Sequence, residues 1–216
     1  RIIRTGFGQP SVFNTDAIIQ ELLRQGKTIE DARNGGASGC VESGAFGKES
    51  YILTGYFNMA KVLEITLNNG LDPRTGRKIG LETGNPLEFS SFDELFRAFK
   101  DQLTHFVDIK IKGNNIIERL HARLLPTPFL SLLIDDCIAK GKDYNDGGAR
   151  YNTNYIQGVG LGTVTDSLTA IKYQVFDEKK IGLEELLNAL KTNFHGQENL
   201  RQVLLNKTPK YGNDND

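Results

Sequence analysis

Tryptophan is absent from this chain of 216 residues, methionine occurs only at Met59, and cysteine only at Cys40 and Cys137. Two cysteines so far apart in sequence make no disulfide framework, so the chain is not a small stapled secreted scaffold. A reducing cytoplasm is the expected compartment. Neither sign of charge is in excess: 26 Lys and Arg against 27 Asp and Glu give a formal net charge of −1. That excludes a global electrostatic attraction to nucleic acid or to an anionic membrane. Long apolar runs are missing as well. A run such as Phe129 to Ile134 falls far short of the roughly 20 residues that span a bilayer, and no signal-peptide pattern occurs. The histidines are His105, His121 and His195, none near Cys40 in sequence. No Cys and His stand at metal-ligand spacing, so no metal site is expected.

What is present is a globular composition, 38% hydrophobic and 25% charged, in a chain long enough for one domain with a sizeable core. There are no repeats, no low-complexity linkers and no visible internal boundary, so residues 1–216 are expected to form a single domain. The chain opens on Arg1 and closes in a polar run at Asn213 to Asp216. Neither end reads as a natural terminus, and an internal piece of a longer protein is expected.

Helical periodicity dominates. It predicts helices over 15–25, with Thr15 as N-cap and Gly26 as stop, and over 28–33 and 57–69. Ser91 and Glu94 form a capping box for a helix to about Lys112. Another helix over 114–125 stops before Pro126 and Pro128. Helices are also expected over 129–140, 165–176 and 182–191, and a loop with a turn at Asp72 to Gly76 over 71–88. The alternation over 151–160 predicts a short strand. Long helices with few, short strands between them point to an α/β class.

The sharpest local signal is Gly35-Gly36-Ala37-Ser38-Gly39-Cys40-Val41-Glu42-Ser43-Gly44. Here a cysteine sits in a glycine-dense loop with a carboxylate two residues on. In extended backbone, positions i and i+2 point the same way, so Cys40 and Glu42 can face one pocket. A nucleophilic thiolate would want a cationic or histidine neighbour, which the local sequence lacks. A phosphate cradle would end in Lys-Ser or Lys-Thr, and this loop does not. A thiol beside a carboxylate acid/base remains, which suits hydrogen-atom abstraction coupled to proton transfer. The bland alternative, a small packed thiol, stays open at this point. Elsewhere, Cys137 reads as a core thiol. Asp135 and Asp136 read as helix neighbours facing apart, and Arg150 as a salt-bridging residue.

Gly39-Cys40-Val41-Glu42 followed by Gly47-Lys48-Glu49 resembles the cysteine-loop signature of the glycyl radical enzymes, the pyruvate formate-lyase superfamily. Further blocks match along the chain: Phe7-Gly8-Gln9-Pro10, Gly55-Tyr56-Phe57-Asn58, Gly147-Gly148-Ala149-Arg150-Tyr151-Asn152 and Lys210-Tyr211-Gly212-Asn213. A single cysteine flanked by Gly39 and Val41 resembles the dehydratase-like branch. Pyruvate formate-lyase itself has two adjacent cysteines, whereas diol dehydratases tend to carry proline where this chain has Ser43. The resemblance implies part of a ten-stranded α/β barrel with outer helices and the cysteine loop in its centre. It also implies that Cys40 becomes a thiyl radical and that Glu42 is the acid/base. Tyr56 is placed at a position where an aromatic residue packs on a substrate ring, the alternative being a tyrosine that caps the following helix. A glycyl radical residue outside this chain is implied, installed by an S-adenosylmethionine iron–sulfur activating enzyme, as are a small-molecule substrate and a homodimer. The expected reaction is loss of water from a small hydroxylated substrate. The alternatives are another glycyl radical lyase or a formate acetyltransferase-like protein, or a non-catalytic α/β domain. No Arg-Val-x-Gly-Tyr-type glycine motif occurs, so this piece alone is expected to be inactive and to fold poorly without the rest of its barrel.

Overall fold

Asparagine and glycine decide where several elements begin and end in the computed structural model, which describes residues 3–5, 11–39 and 41–213 (the side chains of Ile3 and Thr54 excepted). Helix α1, Thr15–Arg24, is capped one residue earlier than its sequence suggests: the Ala17 N–H donates to Asn14 Oδ1 at 3.0 Å. It closes where Gly26 and Lys27 return their amides to Leu23 and Leu22, a backbone-satisfying stop. Thr28 caps α2, Ile29–Arg33, as expected.

The glycine-rich stretch is not a plain loop. It contains a small antiparallel hairpin, β1 (Gly36–Ser38) and β2 (Glu42–Gly44), with Ser38 opposite Glu42 and Gly36 opposite Gly44. Strand β3, Glu49–Asn58, is absent from the sequence reading, because its run mixes apolar and polar residues without a clean period. Helix α3 therefore starts at Met59 rather than Phe57 and runs to Thr66. The turn after Asp72 joins a short pair, β4 (Leu71–Asp72) and β5 (Arg77–Lys78).

The two helices expected on either side of Gly113 are one helix, α4, Phe92–Leu124. A lone glycine costs only about 1 kcal/mol inside a helix, too little to end one whose first half is anchored on the core through Leu95, Phe99, Leu103 and Phe106. The helix expected over 129–140 is instead two single turns, α5 (Pro128–Ser131) and α6 (Cys137–Lys140), broken where Asp136 adopts φ 77°. Strand β6, Tyr151–Val159, is where alternation placed it. Helix α7, Leu161–Ala170, begins earlier than expected and passes into a π-helical stretch over Ile171–Asp177. Helices α8 (Leu183–Lys191) and α9 (Glu198–Asn206) follow, the last not foreseen.

Strand β3 pairs with β6. The Tyr151 N–H bonds the Lys48 carbonyl at 3.0 Å, the Thr153 hydroxyl bonds Glu49, and Tyr51 stacks on Tyr155 with centroids 5.8 Å apart. Partners that advance together along both chains mark a parallel pair, whose connection needs a long crossover. This makes the class α/β, as expected.

Contacts gather the described residues into two units, one from within 1–55 and 113–156, the other from within 56–112 and 157–216. The second has a continuous apolar core that includes Leu63, Leu95, Phe99, Val164, Ile171 and Leu186. Gln102 is fully buried there and holds the 78–84 segment through both backbone groups of Leu81. The first buries Leu22, Ala32, Ala45, Cys137 and Ala149 together with Lys27, Asp31, Glu49 and Ser50. No helix among the described residues is long and apolar enough to cross a membrane.

Candidate active site

Of the three residues singled out by sequence, Cys40 lies outside the described residues, Glu42 belongs to the first unit and Tyr56 to the second.

Glu42 opens β2. Its carboxylate turns back over the hairpin and accepts the Val41 N–H at 3.0 Å. Gly39 makes this geometry available: its φ is 57°, and a Cβ there would stand 2.5 Å from Glu42 Oε2. Any side chain would expel the carboxylate. Gly44, at the other end of the strand, is required by crowding rather than by φ. A Cβ there would lie 2.5 Å from both Glu49 Oε2 and the Tyr51 hydroxyl oxygen. Tyr155 holds the strand between these glycines by donating its hydroxyl to the Ser43 carbonyl at 2.6 Å. Burial first, and the nearby Glu49 charge second, push the Tyr155 phenol far above its usual range, so it remains a donor.

Beneath the hairpin, Glu49 is buried and paired with buried Lys27 at 3.0 Å. Its other oxygen accepts the Ala45 N–H at 2.7 Å. Lys27 also donates to Gln25 and lies over the Tyr151 ring. Asp31 sits beside them, bonded by Lys48 and by the Tyr151 hydroxyl. These two bonds hold its carboxyl down to about 2. Arg150 reaches Asp31, Asp135 and Asp136. Its salt-bridging role is thus as read from sequence. Asp135 and Asp136 do not face apart, since they lie in the break before α6 rather than inside a helix. Cys137 is buried, and burial raises its thiol pKa, as befits a core thiol.

Tyr56 lies in β3 and is 64% exposed, while its neighbour Phe57 packs on the apolar core. Asn58 caps α3 by accepting the Lys61 N–H at 3.1 Å. The capping role is therefore filled, and Tyr56 is free of it.

A family model described as pyruvate formate lyase-like matches residues 1–216. The chain belongs to the pyruvate formate lyase-like family. Within it, the chain is 62% identical over 215 residues to trans-4-hydroxy-L-proline dehydratase of Clostridioides difficile, all of this chain against 27% of that protein. It is 38% identical to (2S)-3-sulfopropanediol dehydratase of Klebsiella oxytoca, with 99% of the chain against 26% of the relative. The crystal structure of the C. difficile hydroxyproline dehydratase with trans-4-hydroxy-L-proline bound superposes with a TM-score of 0.91, covering 96% of this chain and 26% of that one. The glycerol-bound B12-independent glycerol dehydratase of Clostridium butyricum gives 0.88 at 43% identity, covering 99% and 27%. The α/β fold of this pyruvate formate lyase-like chain is thus that of a segment of these glycyl radical dehydratases. It spans about a quarter of their length.

Sequence reasoning missed the support of the hairpin. Lys27 and Tyr155 carry no motif of their own. Glu49 stands in the Gly47-Lys48-Glu49 match, which gave it no role.

Proposed function

We propose that this chain is part of a glycyl radical dehydratase that eliminates water from trans-4-hydroxy-L-proline. The 62% identity to the C. difficile enzyme over the whole chain carries the reading, and Cys40 with Glu42 in one glycine-dense stretch of sequence gives it a chemistry. Residues 1–216 would be one partial domain: the family model runs through all of them, and β3, α4 and β6 each continue from one unit into the other.

The radical glycine, in the remainder of the polypeptide, would supply a one-electron oxidising site after installation by an S-adenosylmethionine iron–sulfur activating enzyme. Cys40 gives up its thiol hydrogen atom there and, as a thiyl, takes one from the carbon next to the hydroxyl-bearing carbon. Glu42 moves the protons as water departs. Return of the hydrogen atom from Cys40 leaves a pyrroline carboxylate, substrate minus water, with no net oxidation. Tyr56, exposed and not engaged as a cap, would pack on the substrate ring. The intact enzyme is expected to be a cytoplasmic homodimer.

Anaerobic activation of the full-length protein and assay with hydroxyproline tests this. Turnover that Cys40→Ser abolishes and Glu42→Gln cuts by about 10²-fold or more is the expected result. Turnover confined to a different hydroxylated substrate favours the second reading, a sister dehydratase, which 43% identity to the glycerol enzyme keeps in view. Full activity in Cys40→Ser removes the radical role.

A further inference from the structure

Glu49 gathers four segments of the first unit on one buried carboxylate. Lys27, from the turn after α1, meets Oε1 at 3.0 Å, and the Thr153 hydroxyl of β6 reaches the same oxygen. The Ala45 N–H, immediately after β2, donates to Oε2 at 2.7 Å. Glu49 is itself the first residue of β3. Buried ion pairs are poor stabilisers, because desolvation offsets attraction and apolar packing of equal volume commonly does as well. Their best-attested use is to specify one arrangement among several, and the segment that meets this pair is the exit of β2. Gly44 leaves no slack between that strand and Glu49 Oε2, and the Tyr155 hydroxyl fixes the Ser43 carbonyl beside it.

We propose that Glu49, neutralised by Lys27 and assisted by Tyr155, is a positioning residue that clamps the strand carrying Glu42 through the Ala45 amide. The inference rests on the proposed role of Glu42. A carboxylate that must exchange protons with a substrate works only within hydrogen-bond reach, and a misplacement of about 1 Å can lower the rate about 10²-fold. Strand β2 is thus held by groups outside the proposed catalytic pair, through the Ala45 amide and the Ser43 carbonyl.

Two double variants of the full-length protein separate clamp from mere packing. Lys27→Met/Glu49→Leu removes both charges and the acceptor for Ala45, whereas Lys27→Met/Glu49→Gln removes the charges and keeps an acceptor. At equal glycyl radical content by electron paramagnetic resonance, the Leu double variant should lose about ten- to hundredfold in kcat, with KM for hydroxyproline within about twofold. The Gln double variant should recover to within about threefold, and Tyr155→Phe should fall between the two. Amide hydrogen exchange over 41–46 should quicken in the Leu variant only. Equal kcat per radical and equal exchange in the two double variants overturn the clamp. Activity retained in a Cys40→Ser control would instead remove the proposed function. The clamp is then judged by exchange alone, unequal exchange supporting it and equal exchange overturning it.

Discussion

The second unit buries Leu63, Leu95, Phe99, Val164, Ile171 and Leu186 against one another, whereas the first buries Lys27, Asp31, Glu49 and Ser50 among small apolar residues. The same chain thus uses two kinds of interior. An apolar core is non-directional and tolerates repacking. A charged interior is directional: each oxygen of Glu49 is committed to particular partners, and losing one strands another. The directional interior lies under the hairpin that carries Glu42, and the tolerant one lies under the outer helices. Geometry is specified where chemistry is proposed, and bulk stability is gathered elsewhere.

The sharpest way to break this contrast is to strand one buried charge. In the full-length protein, Glu49→Leu alone should destabilise by about 3–5 kcal/mol, read by chemical denaturation. The additional change Lys27→Met should return most of that loss. No recovery in the double variant would show that the pair stabilises as packing does. In the second unit Leu95→Ala, at a fully buried position, should cost about 2–5 kcal/mol by cavity formation. No second substitution of a neighbouring charge should restore it. Gln102→Leu should cost about 1–3 kcal/mol by leaving both backbone groups of Leu81 unpaired, with faster exchange at Leu81 as the local signature. The smallest effect is acid sensitivity. Asp31 has its pKa depressed from 3.8 to about 2 by its bonds from Lys48 and Tyr151. Its contribution is present above about pH 4 and is lost as pH falls toward 2. Asp31→Asn should flatten stability over that window, as followed by circular dichroism during an acid titration. An unchanged acid limb would place the sensitivity elsewhere, Asp72 in the second unit being held down to about 2 by Lys61 and Thr75.

The contrast also separates what could be read in advance from what could not. Helices α1, α2 and α8 and strand β6 follow from period, caps and stops, because those signals are local. Gly113 looked like a boundary and is not one, since a single glycine costs a helix only about 1 kcal/mol. Asp136 looked helical and instead takes a left-handed turn that brings Asp135 and Asp136 together on Arg150. Strand β3 was invisible because its run mixes apolar and polar residues without a clean period, whereas its partner β6 carries the alternation that marked it.

From the sequence alone came the α/β class, the family resemblance and the pairing of Cys40 with Glu42 in a glycine-dense segment. Each rests on residues adjacent in the chain, where spacing and conformational preference act directly. Only the tertiary structure decided that Lys27, Ala45 and Thr153 converge on Glu49, and that Gly44 is needed for closeness rather than for its dihedral angle. Ion pairing and close approach depend on through-space distance, which residues remote in sequence acquire only when the chain folds.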